Sequence, residues 1–219
     1  MTLLRHFELL KSLGFEYCND LHLNKKEIQD DLPNTLDQLE QTVKHCNLCQ
    51  CSKSRSNVLF GSGDVDAQVV FLGDFNSSFE DQEGNYYKGK VGELLASMIE
   101  NVLLFPKERF YITNILKCLP QNIYSVPEVD IQTCKGYLLK QLDIINPKII
   151  VTLGEHSFNH LSEQNIQWNK VRGNIIKHKN YTILPMFHPS IILRNPTLKK
   201  DAYHDMLKLK SFISENQSD

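Results

Sequence analysis

The chain has 219 residues, of which 41% are hydrophobic and 23% charged, and its formal net charge is −2. This length suits one globular domain that buries a full core without disulfides, with a small N-terminal appendage. No apolar run approaches the ~20 residues of a membrane span, and the charge argues against a strongly basic nucleic-acid binder. We therefore expect a soluble, cytoplasmic protein with no membrane partner.

Hydrophobic periodicity predicts helices and strands in alternation. The first helix is expected over 3–15 and ends near Gly14, and a second is expected over 34–46 with Asn34 as its cap after Pro33. Buried strands are predicted at 67–74, 110–116, 147–154 and 181–187. Further helices are predicted at 91–104, 127–145, 155–162 and 197–215.

This alternation predicts the α/β class, a three-layer α/β/α sandwich around a mainly parallel four-stranded sheet. Residues 1–33 are assigned to an N-terminal helical extension and residues 34–219 to the main domain. Basic side chains outnumber acidic ones over 147–200, which is compatible with a polyanionic partner but equally with an ordinary solvated surface.

The cysteines have an informative spacing. Cys46 and Cys49 form a C-x-x-C pair, and Cys118 and Cys134 form a looser pair with fifteen residues between them. Four thiolates supplied by two separate stretches of chain are typical of a metal centre. Structural zinc usually takes two tight pairs, so the loose second pair favours a [4Fe–4S] cluster, although zinc also fits.

Other interpretations of the cysteines remain. Free cysteine is among the most buried residue types, so all four could be packed thiols. Disulfides are disfavoured because no signal peptide is expected. Cys18 and Cys51 stand outside the pattern; Cys51 is close enough to Cys49 to compete as a ligand, and a packed thiol is the preferred interpretation.

Polar residues stand where three predicted strands end. Asp74 follows the first strand, Asn114 ends the second, and His188 follows the fourth. Ligands of parallel sheets bind beyond the carboxyl ends of the strands, so we expect the three side chains to share one rim. An acid, an amide and an imidazole there make a plausible reactive pocket, while each alone has a structural explanation in a cap, a turn or a core hydrogen bond.

The motifs occur in an order that resembles the family 4 uracil-DNA glycosylases, the iron–sulfur branch of that superfamily. The resemblance runs from about Cys46 to about Met206. It is carried by both cysteine pairs, by E-D-x-x-G at 80–84, by T-N-x-x-K-C at 113–118 and by H-P-S-x-x-L-R at 188–194.

The resemblance implies a monofunctional DNA-repair glycosylase that acts on a uracil flipped out of DNA, single- or double-stranded. His188 would donate a hydrogen bond to the negative charge developing at uracil O2, and Asp74 would handle the attacking water. Asn114 would read N3 and O4 of the base, and Tyr87 would stack on it, a contact worth ~1–3 kcal/mol.

The same resemblance implies DNA contacts. Leu193 would fill the gap left by the flipped nucleotide, Arg194 would lie near a phosphate, and Ser190 would add a phosphate hydrogen bond. The alternative is an apolar run of Ile191, Ile192 and Leu193 in the core. We expect a monomer that binds uracil-containing DNA.

One loop departs from the family, which has Gly-Glu-Ala-Pro-Gly where this chain has Gly73-Asp74-Phe75-Asn76-Ser77. Asp74 is one methylene shorter than glutamate, a change of ~1–1.5 Å in reach that can lower the rate ~100-fold. Phe75 and the loss of proline and glycine change the wall that Gly73 and Phe75 offer to the base. The alternatives are a weak or inactive nucleic-acid-binding iron–sulfur protein of this fold and an unrelated electron-transfer metalloprotein.

Overall fold

The computed structural model describes residues 32–164 and 166–216. The helix predicted over 3–15, and with it most of the 1–33 extension, lies outside these residues, as does Cys18. No helix among the described residues has the length and apolar character to cross a membrane.

The described residues contain one six-stranded sheet. Its four inner strands are parallel, and both edge strands pair antiparallel. The prediction of a mainly parallel four-stranded core is confirmed, but the full count is six because both edge strands are too short to give a periodic signal. The strands are β1 (Ser62–Gly63), β2 (Val69–Gly73), β3 (Tyr111–Asn114), β4 (Ile149–Leu153), β5 (Ile176–His178) and β6 (Tyr181–Met186). Their order across the sheet is β1-β3-β2-β4-β6-β5.

Helices cover both faces of this sheet. Three short helices, at 78–83, 168–171 and 189–194, were not predicted from periodicity. In chain order the helices are α1 (Leu36–Lys44), α2 (Ser78–Glu83), α3 (Gly89–Met98), α4 (Glu128–Ile145), α5 (Glu155–Ser162), α6 (Trp168–Val171), α7 (Pro189–Arg194) and α8 (Lys199–Glu215). A π-helical turn, Ile99–Leu103, continues α3, and 3₁₀ turns occupy Gln50–Lys53, Lys107–Arg109 and Pro196–Leu198.

The start of α1 corrects one prediction. The cap is Thr35, whose hydroxyl accepts a hydrogen bond from the Gln38 amide at 3.4 Å. Asn34 is not the cap, because its Oδ1 instead accepts a hydrogen bond from Lys140 Nζ at 2.6 Å. Thr35 therefore caps α1, and Asn34 connects this segment to α4 through its hydrogen bond to Lys140.

The core divides into two layers, as an α/β/α sandwich requires. Val70 and Leu72 of β2 pack with α4 and α5, whereas Val69 and Phe71 pack on the opposite face with α3 and α8. All five residues of β2 are buried, which explains its continuous apolar sequence. A smaller cluster of Leu39, Val43, Phe60 and Tyr137 fixes α1 against α4.

Candidate active site and metal centre

Cys46, Cys49, Cys118 and Cys134 line one cavity. Cys46 and Cys49 follow α1, Cys118 lies four residues beyond the end of β3, and Cys134 lies on α4. The small cluster that fixes α1 against α4, to which Cys46 also belongs at its margin, holds the end of α1 beside α4. The structure therefore contains a cysteine-rich candidate metal site.

A basic and a main-chain donor contact two of the four sulfurs. Arg55 Nη1 donates to Cys118 Sγ at 3.2 Å and to the Cys46 carbonyl at 2.9 Å, and the Lys117 amide donates to Cys134 Sγ at 3.4 Å. Such donors favour thiolates over thiols. Burial raises the pKa of Cys134 to about 12, so this sulfur ionises at neutral pH only when a metal supplies the opposing charge. The donor set fits a four-thiolate group.

Cys51 is buried at 3% exposure, which agrees with its interpretation as a packed thiol. Its Sγ nevertheless lies 3.9 Å from Asp130 Oδ2, and ligand atoms of Cys49, Cys51 and Asp130 all lie within 4.8 Å of one another. Burial is the main reason that the pKa of Cys51 rises to about 12, with Cys49 and Asp130 adding to it. Cys51 thus stands beside the four-cysteine cavity and is not among the residues that line it.

The predicted pocket residues follow the parallel strands in spatial order. Asn114 ends β3 opposite Gly73, Asp74 follows β2, and His188 follows β6 two strands further along. Gly154, at the end of β4, lies between them; a Cβ placed on it would be 3.5 Å from the Cβ of His188. Adjacent strands lie ~4.8 Å apart, so these residues span ~15 Å of one edge of the sheet.

The carboxyl group of Asp74 is shielded from solvent. Burial raises the pKa of its carboxyl to about 6, while His156 and a hydrogen bond to Ser157 partly oppose that rise. Its Oδ1 is buried and makes no hydrogen bond to any described residue. A carboxylate with one unsatisfied oxygen can accept a hydrogen bond from a water.

Asn114 is 6% exposed and is held from several sides. Its side-chain Nδ2 donates to Asn76 Oδ1 at 2.7 Å, and its main-chain carbonyl accepts from Lys117 Nζ at 2.8 Å. A Cβ on Gly73 would lie 2.2 Å from Asn114 Oδ1, so only glycine leaves room for this amide. Gly73 therefore serves the site by placing Asn114.

His188 caps the N-terminus of α7. Its Nδ1 accepts from the Ser190 backbone amide at 3.2 Å and lies 2.8 Å from Ser190 Oγ. A main-chain N–H can only donate, so Nδ1 carries no proton and the neutral ring bears its hydrogen on Nε2. Burial, assisted by the charge of Arg194, lowers the pKa of His188 to about 4. The side chain is thus a neutral Nε2–H donor at physiological pH.

Two aromatic residues of the predicted pocket are half-buried. Phe75 packs against the core layer that contains Leu116. Tyr87 packs against the opposite layer, and Lys107 Nζ lies 5.7 Å from its ring centre. Tyr87 also lines an open groove with Lys107 and Glu108, and that groove does not include Asp74, Asn114 or His188.

The predicted DNA-contacting residues lie on or beside α7. Leu193 is 41% exposed, whereas Ile192 is buried at 1%, so the apolar run divides between surface and core. Arg194 is exposed, and its Nε donates to the Ser190 carbonyl at 3.3 Å. The Ser190 hydroxyl is already engaged by His188, a contact that the sequence did not indicate.

Sequence reasoning missed two structural roles. The buried Lys117 Nζ donates to Thr113 Oγ1 at 2.5 Å and to Gln141 Oε1 at 2.7 Å, which binds β3 to α4. In the E-D-x-x-G motif, Glu80 forms a capping box with Ser77, and Asp81 accepts from the Ser56 amide at 2.8 Å. The S-x-x-E spacing from Ser77 to Glu80 was the signal that identifies such a cap.

Comparison with known proteins agrees with this architecture. The family model described as the uracil DNA glycosylase superfamily matches residues 60–208. The chain belongs to the uracil-DNA glycosylase superfamily. It is 36% identical over 185 residues to a type-4 uracil-DNA glycosylase of Sulfurisphaera tokodaii, covering 81% of this chain and 84% of that protein.

Two more relatives carry the same name. The chain is 34% identical to the type-4 uracil-DNA glycosylase of Saccharolobus solfataricus, over 83% of this chain and 88% of the relative. The Thermotoga maritima protein is 34% identical, over 81% of this chain and 94% of its own length. The superfamily match includes Asp74, Asn114 and His188, and it begins after Cys46 and Cys49.

Proposed function

We propose that this protein is a DNA-repair glycosylase that hydrolyses the N-glycosidic bond of uracil in DNA, with the base flipped into a pocket at the carboxyl edge of the sheet. The observation that carries the proposal is the state of His188. Its Nδ1 accepts a main-chain hydrogen bond and its pKa is about 4, so it presents a neutral Nε2–H.

The neutral imidazole suits this bond cleavage. Negative charge develops on the departing base, and His188 Nε2–H would donate to it at uracil O2. A donor held in place before the reaction stabilises that charge without reorganisation, an effect worth ~100–1,000-fold in rate. His188 is held in this way by its two contacts to Ser190.

Asp74 would act on the water. Positive charge develops on the deoxyribose, and an ionised carboxylate nearby both stabilises it and orients a nucleophile. The Oδ1 atom, which makes no hydrogen bond to any described residue, is the atom that would receive the water. Because the pKa is about 6, Asp74 is ionised at neutral pH.

Asn114 would recognise the base. Uracil presents a carbonyl, O4, beside a ring N–H, N3, and a side-chain amide offers the complementary donor and acceptor. Tyr87 would stack on the ring, with Gly73 and Phe75 completing the wall. Access requires the base to leave the helical stack, because a stacked nucleotide hides its sugar carbon.

DNA would bind across the face that carries α7. The exposed Leu193 would enter the space vacated by the flipped nucleotide, while Arg194 would approach a phosphate. We assign a monofunctional mechanism because the lysine within the site motifs, Lys117, is buried and bound by three oxygens. The monomeric state and cytoplasmic location stay predictions.

The metal would be a [4Fe–4S] cluster held by Cys46, Cys49, Cys118 and Cys134. The loose spacing of the second pair favours a cluster over zinc. When bound, it would serve as a cross-link between α1, the chain after β3, and α4. Iron and sulfide of about four each per chain, without zinc, are the expected analysis.

The direct test is release of free base from matched oligonucleotides that carry uracil, thymine or cytosine at one position. We expect release of uracil and its loss in Asn114→Ala. Release of all three bases at similar rates would contradict the assignment of base recognition to Asn114. Release of none would contradict the proposed glycosylase activity.

The shortened carboxylate favours a second candidate, a weak or inactive nucleic-acid-binding protein of the same fold. Asp74 has a shorter reach than the family's glutamate, and its carboxyl also makes a hydrogen bond to Ser157 of α5. This candidate predicts affinity for uracil-containing DNA without turnover. Asp74→Glu then separates the two, because a restored reach should raise the rate of a weak enzyme.

A further inference from the structure

Asn76 lies in the loop after β2 and is fully buried, at 0% exposure. Its side chain connects two parts of the site. Its Oδ1 accepts from Asn114 Nδ2 at 2.7 Å, and its Nδ2 donates to the Lys117 carbonyl at 3.3 Å. The same carbonyl accepts from the Leu59 amide at 2.9 Å.

The donors and acceptors along this series of hydrogen bonds can be assigned in only one way. A main-chain carbonyl can only accept, so Asn76 must turn its NH₂ group toward Lys117. Its Oδ1 must then face Asn114, which in turn must present Nδ2. The orientation of the Asn114 amide, which is often ambiguous for an asparagine, is therefore fixed by the backbone of Lys117.

The remaining polar atoms of Asn114 face elsewhere. Its Oδ1 lies over Gly73, and neither Oδ1 nor the second hydrogen of Nδ2 is used by another described residue. The amide thus offers a fixed pair, one donor and one acceptor.

We propose that Asn76 is a specificity-determining positioning residue, which locks the Asn114 amide in the orientation that accepts bases with a carbonyl beside a ring N–H. The inference rests on the proposed function and deepens it. Uracil presents that pair at O4 and N3. Cytosine presents the reverse, an amino donor beside a ring acceptor.

Accepting cytosine would require both amides to turn over. If Asn114 turned alone, its Oδ1 would meet Asn76 Oδ1, and two acceptors would face each other. If Asn76 turned as well, its Oδ1 would face the Lys117 carbonyl. Each arrangement leaves buried polar groups unpaired, and such a loss is large enough to change an equilibrium about tenfold or more.

The test compares Asn76→Ala, Asn76→Asp and Ser77→Ala with the wild-type chain. Alanine removes the whole device. Aspartate keeps an acceptor for Asn114 Nδ2 in either protonation state, although it disturbs the contact with Lys117. Ser77→Ala is the matched control, because it breaks the capping box of α2 in the same loop and leaves Asn76 in place.

Steady-state release of uracil and of cytosine is measured over a range of concentrations of otherwise identical single-stranded oligonucleotides. In Asn76→Ala we expect the uracil-to-cytosine ratio of kcat/KM to fall at least tenfold, with the loss for uracil mainly in KM. Asn76→Asp and Ser77→Ala should keep the wild-type ratio even where the melting temperature falls. Discrimination and stability therefore separate if the inference is right.

Two results would overturn it: an unchanged ratio in Asn76→Ala, or an equal fall in all three variants, which would mean that loop integrity alone matters. Equilibrium binding of the same oligonucleotides distinguishes this failure from that of the proposed function. Suppose that the wild-type chain binds the uracil strand preferentially but releases no base, and that Asn76→Ala lacks this preference. That result would refute the proposed glycosylase activity and support the role of Asn76 in orienting Asn114. Equal binding of both strands by a wild-type chain that releases no base would refute both.

Discussion

The four-cysteine cavity and the carboxyl edge of the sheet differ in how their polar groups are satisfied. Around the cysteines, Arg55 and the Lys117 amide donate to sulfur or to neighbouring carbonyls. At the sheet edge, Asp74 Oδ1 has no partner among the described residues, and His188 keeps Nε2–H for another acceptor. The donors of the first region are therefore used within the protein, whereas the second region has polar atoms that a ligand could contact.

Lys117 joins the two regions. Its amide donates to Cys134 Sγ, its carbonyl accepts from Asn76, and its Nζ donates to the Asn114 carbonyl. A disturbance at the sulfurs should therefore reach the side-chain amide of Asn114, whereas a change at His188 should leave the sulfurs unaffected. This asymmetry can be tested by substitutions.

The largest effect is expected from Cys134→Ala, which should lower iron content, solubility and uracil release together. Metal binding contributes folding free energy, and removing one ligand releases α4 from the rest of the centre. Iron analysis and thermal unfolding measure the change. Cys51→Ala is the control and should keep its iron. An iron-free Cys134→Ala with normal thermal stability would refute the structural role.

His188→Ala should lower uracil release by ~100–1,000-fold and leave unchanged the brown colour that the proposed [4Fe–4S] cluster would give. The substitution removes the donor to O2 and touches no cysteine. Single-turnover rates and the visible absorption spectrum measure the two effects. His204→Ala, which alters an exposed histidine of α8, should match the wild type. Turnover that survives in His188→Ala would contradict the assigned role.

Asp74 should set the acid limb of the pH profile. Because its pKa is about 6 and the ionised form is required, release should fall about tenfold per pH unit below pH 6. His188, with a pKa of about 4, stays neutral through this range. Asp74→Asn should lower the rate ~100-fold and remove the limb. A limb that persists in Asp74→Asn would assign it to another group.

The same substitution should stabilise the fold at neutral pH. The folded-state pKa of Asp74 is raised, so the folded chain binds the proton more tightly and loses stability as pH rises from about 4 to about 6. Asp74→Asn should recover up to ~3 kcal/mol at pH 7.5 and little at pH 4. Urea unfolding at the two pH values measures this difference, and an equal change at both would contradict it.

The smallest effect is expected from Leu193→Ala. The exposed leucine would act only where a gap opens in a duplex, so release from double-stranded DNA should fall ~2–5-fold and release from single strands should not change. Ile191→Val, at a half-buried neighbour on α7, is the control. An equal loss on both substrates would indicate that Leu193 stabilises α7.

The sequence predicted the features whose signal is local. The apolar stretch around Val69–Gly73 predicted a buried strand because parallel strands are covered on both faces. The edge strands β1 and β5, with two and three residues, carry no such signal. Thr35 and Asn34 are both good caps, and only the contact of Asn34 with Lys140 decides between them.

Contacts between distant segments were beyond prediction. Asn76 and Asn114 are 38 residues apart, and only the parallel pairing of β2 with β3 brings Asn76 Oδ1 to 2.7 Å from Asn114 Nδ2. The spacing of the cysteines indicated a metal centre, whereas the donors to their sulfurs depend on how Arg55 and Lys117 fold back. The split between the exposed Leu193 and the buried Ile192 likewise needed the orientation of α7.

The most direct measurement of the central claim is made on the wild-type chain alone, by following binding and base release on the same uracil-containing oligonucleotide at pH 7.5. We expect every bound strand to yield free uracil and an abasic site within a single turnover. Stable binding with the glycosidic bond intact would contradict it.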